Sequence, residues 1–77
     1  MPVQFKKFDV RPLLAKGNEP FALIRSRVDA LRQGEGLTVV APFLPSPLIE
    51  KLNSEGFHSS AQHLPEGGWS VNFWREA

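Results

Sequence analysis

Few side chains in this sequence can do covalent or metal chemistry: two histidines, His58 and His63, the serines Ser26, Ser46, Ser54, Ser59, Ser60 and Ser70, scattered carboxylates, and no cysteine. Without a thiol there is no disulfide framework, no thiolate metal ligand and no sulfur nucleophile. His58 and His63 lie five apart on a stretch that reads as a strand, and odd spacing in a regular strand sends the two rings to opposite faces. They therefore cannot share a metal ion unless a bulge reverses the parity. No serine sits in a Gly-x-Ser-x-Gly elbow. Gly34-Glu35-Gly36 and Gly67-Gly68 read as turns, because neither leads into the Lys-Ser/Thr of a phosphate-cradling loop. Paired carboxylates would need a cleft that a chain of 77 residues seldom encloses. The expectation is a non-catalytic protein with no metal and no other cofactor.

Binding chemistry has more to work with. Asp9, Arg11, Lys16 and Asn18 precede a helical segment, and Arg11 and Lys16 could hold a small anion against the free N–H groups at its start. The plainer alternative is a structural Asp9–Arg11 pair, and Glu19 adds a negative charge that opposes an anion there. Phe43, Pro45 and Pro47 belong to a proline-dense loop, and prolines lower the entropy cost of holding an aromatic ready for contact. Trp74 is the other aromatic able to anchor an interface. Charge is split unevenly: residues 1–33 carry seven basic groups against three acidic, and residues 34–77 carry two against five. Such a split steers an anionic partner to one side but falls short of a nucleic-acid-binding face. RNA contact through Lys6, Lys7, Arg25, Arg27 and Arg32 is the weakest option.

The elements that must position these residues follow from periodicity. Residues 3–10 read as a first strand and Arg11 to Asn18 as a loop. From Glu19 to Gln33, Phe21, Ile24, Val28 and Leu31 share one helical stripe, with Asn18 as cap, Pro20 in the first turn and Gly34 as the stop. Arg25 and Asp29 sit four apart on its flank. Leu37 to Ala41 forms a second strand, parallel to the first because a helix connects them. Ser46 caps a second helix with Pro47 at its first position, Leu48, Ile49 and Leu52 on its apolar face, and Gly56 at its end. Phe57–Leu64 and Trp69–Arg75 make a hairpin around Pro65-Glu66-Gly67-Gly68. In its second strand Trp69, Val71 and Phe73 share one face, and Ser70, Asn72 and Trp74 the other, with Trp74 near Thr38 and Val40. The whole chain, 1–77, is then a single α+β domain: a two-layer sandwich of order β-α-β-α-β-β, its four-stranded mixed sheet carrying two helices on one face.

This order, with Phe8-Asp9-Val10-Arg11-Pro12-Leu13 leading through a loop into a helix headed by Glu19-Pro20, resembles the TusA/SirA-like superfamily. The likeness spans nearly the whole chain: Pro20 to Leu31 matches the family's first-helix spacing, Gly34 its following glycine, and the hairpin after Gly56 its final strands. In sulfur-carrier members a Cys-Pro-x-Pro motif opens that helix and its cysteine carries a persulfide. Here Gly17-Asn18-Glu19-Pro20 aligns with the motif, so Gly17 occupies the cysteine position, after an insertion at Leu14 to Lys16, and Pro12 replaces a usual glycine. Without the thiol, sulfur transfer is rejected. A closer likeness is to the uncharacterised branch of the superfamily, small domains sometimes fused to hemerythrin-like modules. That branch often carries Asp-His-x-Pro-x-Pro-Leu after the second strand. The corresponding Pro42-Phe43-Leu44-Pro45-Ser46-Pro47-Leu48 keeps the Pro-x-Pro-Leu half and lacks the acid and the histidine.

The resulting expectation is an interaction module, docking a protein partner or a second copy through the open sheet face and the Phe43–Pro47 loop. A binder of a small anion at the start of the first helix is the alternative. No membrane-length apolar run is present. The opening residues lack a signal-peptide h-region, so the cytoplasm is the default.

Overall fold

A computed structural model describes residues 3–75. The β-branched run Leu37-Thr38-Val39-Val40-Ala41 becomes part of β2 (Glu35–Ala41), which pairs in parallel with β1 (Gln4–Asp9) and antiparallel with β4 (Trp69–Trp74). The sheet is completed by β3 (His58–His63) on the far side of β4, giving the order β1-β2-β4-β3. Leu37 and Val39 stand directly opposite Phe73 and Val71, and all four are essentially solvent-free. Among the described residues three helices supply the second layer: α1 (Arg11–Ala15), α2 (Phe21–Asp29) and α3 (Ser46–Ser54). Ile24 and Val28 of α2 and Leu48 and Leu52 of α3 join Val10, Phe57 and the sheet residues in one cluster, with Leu13, Leu14, Leu31 and Ile49 packed on its margin. At about 1.5–3 kcal/mol for each large apolar side chain removed from water, this cluster is the main favourable contribution to stability. No helix among the described residues is long and apolar enough to cross a membrane.

The fold is thus the expected α+β arrangement with a mixed four-stranded sheet, but with three helices in place of two. The expected loop after β1 contains α1. Its end is a Schellman motif: the Asn18 N–H donates to the Leu13 carbonyl at 2.9 Å, the Gly17 N–H donates to Leu14 at 3.0 Å, and Gly17 takes the positive φ of 77° that the motif requires. The same motif ends α3, where Gly56 and Phe57 donate to Asn53 and Leu52. Asn18 does not cap α2. Pro20 holds the cap position, and the Glu19 carboxylate accepts the Phe21 N–H at 3.3 Å. Nor does α2 run to Gln33. It stops at Asp29, because residues 31–34 are needed to turn the chain into β2, whose hydrogen bonding to β1 begins at the Gly34 carbonyl. Ser46 is not a cap either: Pro45 holds that position, and α3 begins one residue earlier than the proline spacing implies. Arg25 pairs with Asp29 at 3.5 Å as its spacing requires, and it also reaches the Glu55 carboxylate beyond α3, tying the two helices together.

On the face away from the helices the register differs from the expectation for Trp74. Its cross-strand partner is Gly36, not Thr38 or Val40. Phe5 occupies the next strand in the same row, and its ring meets Trp74 edge-on at 6.0 Å, while His58 stacks on the other side of Trp74 at 5.7 Å. Gly36 permits this row, since a Cβ there would lie 2.5 Å from the Phe5 ring and 2.7 Å from the Phe73 carbonyl oxygen. The ring can move but the backbone carbonyl cannot. Gly36→Ala therefore costs about 1–3 kcal/mol of overpacking, read as a lower urea midpoint with the slope unchanged. A midpoint equal to the wild type would show that the sheet absorbs the methyl.

Candidate functional site

Pro20 and the proline-dense segment after β2 lie at the same end of the helical layer. Pro45 is buried and accepts the Ile49 N–H, which seats the first turn of α3, and the Ser46 N–H donates to the Leu44 carbonyl at 2.9 Å. With its neighbours so held, Phe43 stands 56% exposed. On the other side Phe21, at the first turn of α2, is 43% exposed. Between them runs a groove of about 270 Å³ whose floor is Val10, Ile24, Val39, Ala41 and Leu48, with Pro45 and Pro47 along one side. Phe21 is thus a groove wall, and the helical stripe that was expected to bury it places only Ile24 and Val28 fully inside. The one charged residue at the groove, Glu19, directs its carboxylate to the Phe21 N–H. What the groove offers is apolar contact, with aromatic side chains already positioned.

Of the second set, Asp9, Arg11, Lys16 and Asn18, the first two are bound to each other. Asp9 accepts from the Arg11 backbone N–H and from its Nε, both at 3.0 Å, and the guanidinium closes a second contact at 2.7 Å. The far guanidinium nitrogen lies 3.8 Å from Glu66 in the hairpin turn, so Arg11 reaches from the end of β1 to the hairpin. Donation by the Arg11 side chain is the chief reason the Asp9 carboxyl is held below its ordinary value, and the same hydrogen bond raises Arg11. Lys16 is the exposed residue that closes α1, and Asn18 is exposed in the loop before α2. The arginine that would meet an anion is already fastened to carboxylates.

The interface set divides as well. Phe43, Pro45 and Pro47 line the groove on the helix side, beyond the last residue of β2. Trp74 lies half-buried on the opposite face at the other end of that strand, opposite Gly36. At about 3.3 Å per residue the two are separated by roughly 16 Å along β2 as well as by the sheet itself. They cannot form one continuous surface, which corrects the expectation that open face and loop act together. The histidines also part: His58 stacks on Trp74, and His63 meets Trp69 edge-on at 5.0 Å on the other face.

Three of the five basic residues weighed for RNA contact are engaged within the chain. Lys6 pairs with Glu35 at 3.3 Å, Arg25 with Glu55 and Asp29, and Arg27 lies over the Phe8 ring at 4.1 Å. A second hollow of about 320 Å³, lined by Val28, Leu31, Arg32, Glu35, Phe57 and Arg75, is of mixed character; Arg75 covers Phe57, and Glu35 accepts the Arg32 N–H.

The residues that sequence reasoning overlooked are Leu14 and Phe21 in the groove and Glu66 beside Arg11. The first had a signal: Pro12 near the start and Gly17 just past the end bracket a short helix that turns Leu14 inward. Glu66 had none, because its approach depends on the hairpin lying beside the end of β1.

The depressed Asp9 gives the ion pair a definite pH signature. A group whose folded pKa is lowered contributes stability above its unfolded value, 3.8 for Asp9, and loses it as pH falls through the folded one. Wild type should therefore melt above Asp9→Asn at pH 7, and the gap in Tm should close as acid protonates Asp9. A gap that stays constant down to pH 2 would mean the pair contributes nothing to acid sensitivity.

No curated protein and no solved structure matches the chain. A family model does match, over residues 7–75, a span that takes in part of β1, all three helices and the final hairpin. The chain therefore belongs to the family described as uncharacterized conserved protein, DUF2249.

Proposed function

We propose that the chain is a non-catalytic interaction module that takes an apolar side chain of a partner protein into the groove between Phe21 and Phe43. The observation that carries this reading is the combination of an apolar floor with two aromatic walls left exposed. A groove of this size lies just below the range of small-molecule pockets, and its single carboxylate is occupied in holding the start of α2. Both features favour a protruding leucine or phenylalanine over a polar metabolite. The proline-dense rim supports the same reading, because a wall that is already rigid loses little entropy on binding.

We further propose that the chain shares the scaffold of the TusA/SirA-like superfamily. Its support is the succession of parallel crossover, second helix and closing hairpin, with three helices here where the resemblance implies two. Gly17, at the carrier cysteine's position, serves as the positive-φ residue that ends α1, a backbone role that needs no side chain. In this reading the domain keeps a carrier-like scaffold and uses it for contact alone.

The test is a titration of N-acetyl-phenylalaninamide into isotope-labelled protein, followed by amide chemical shifts. Saturable shifts should concentrate at Phe21, Ile24, Phe43 and Leu48. Phe43→Ala should weaken binding about tenfold or more, since it removes a wall worth part of the ~1.5–3 kcal/mol of a buried aromatic, while Tm changes little. Shifts confined to Lys16, Asn18 and the start of α2 on adding inorganic phosphate, with none from the amide, would replace this reading with the anion binder.

A further inference from the structure

The two edges of the sheet are guarded differently. The β1 edge carries Lys6, Lys7 and Asp9, charges of the kind that discourage strand addition. The β3 edge, His58-Ser59-Ser60-Ala61-Gln62-His63, has no lysine, no carboxylate and no proline. Ser60, Ala61, Gln62 and His63 are all exposed, and no other described element lies beyond β3 in the sheet.

Which backbone groups face outward follows from the ladder. The Leu64 N–H donates to the Gly68 carbonyl at 3.0 Å, continuing the register of β3 with β4, so residues 58, 60 and 62 occupy the hydrogen-bonded pairs. Ser59, Ala61 and His63 therefore turn their N–H and C=O groups away from β4, toward the open edge. Three outward pairs of groups at alternate positions form a template for another antiparallel strand.

We infer that the β3 edge is a self-association surface, where a second copy of this chain adds its own β3 about a two-fold axis at Ala61. In that register Ala61 faces Ala61 of the second copy, Ser59 faces His63 and the reverse, and Ser60 faces Gln62, hydroxyl against amide. The arrangement is isologous, brings no like charges together and joins two four-stranded sheets into one of eight strands. The small side chain at the axis lets the two backbones approach to ladder distance. A single added strand pair is a small contact of the weak, transient class, so the dimer forms only at high concentration. The inference does not rest on the groove, which lies at the helical layer and leaves the β3 edge clear.

The test uses sedimentation velocity on the full chain from about 5 to 500 μM, a span suited to a small interface. Wild type should shift from monomer to dimer across that range. Ala61→Lys and Ala61→Glu should each remain monomeric, because like charges then meet at the axis, with circular dichroism and Tm matching the wild type. An equimolar mixture of the two variants should dimerise again, since the ammonium introduced in one copy then faces the carboxylate introduced in the other. A wild type that stays monomeric at 500 μM overturns the inference. So does a dimer that both single variants retain, or one that Phe43→Ala abolishes while Ala61→Lys does not; these last outcomes would leave the groove reading intact.

Discussion

The contact between Leu37 and Val39 on β2 and Phe73 and Val71 on β4 is the constraint on which the other features depend. Side chains alternate along a strand, so committing these four to the helix side commits every other residue of the sheet. Phe8 and His63 go with them, while Phe5, Asp9, Gly36, His58 and Trp74 go to the open face. A slip of one residue would place the core in water and the row of rings beneath the helices, which is why the register is strongly specified. The parity of the two histidines and the separation of Phe43 from Trp74 are consequences of that single commitment.

Helix placement then decides where the surface is left unfilled. α2 and α3 each bury two residues deeply, Ile24 with Val28 and Leu48 with Leu52, and the Arg25–Glu55 pair joins the middle of α2 to the residue that closes α3. Where the two helices begin, the chain passes through Pro20 and through the proline-dense segment 42–47. The groove is what remains between them. Its apolar character follows from its position over the edge of the core, since its floor is made of core residues.

Charge plays a smaller part. The ion pairs among the described residues are all at least partly exposed, and pairs of that kind contribute little to stability. Their effect is on availability. Arg11, Arg25 and Lys6 are each matched with a carboxylate of this chain, and Arg27 lies over an aromatic ring, so four of the seven basic groups in the first 33 residues are already engaged. Linear charge asymmetry is a poor guide where folding pairs the two halves internally, as Arg25 with Glu55 and Arg11 with Glu66 show.

Much of the fold was legible because its cues are local. The stripe through Ile24 and Val28, the β-branched run of β2, the Gly56 stop of α3 and the Gly67-Gly68 turn each declare an element within a few residues, and each is present. A helix of five residues is too short to show a period, which hid α1, and the end of α2 was set by the need to turn into β2 rather than by Gly34. The groove was half legible: Phe43, Pro45 and Pro47 were marked by their own loop, whereas Phe21 looked like a core residue. By itself the sequence determined the faces of the hairpin, the absence of thiol chemistry and every element type except α1, all properties of residue type and short-range spacing. Only the tertiary structure decided that Phe21 meets the Phe43 loop, that Trp74 lies beyond their reach and that Arg11 is already held. Those are distances between segments far apart in the chain, and they follow from how two helices are laid across one sheet.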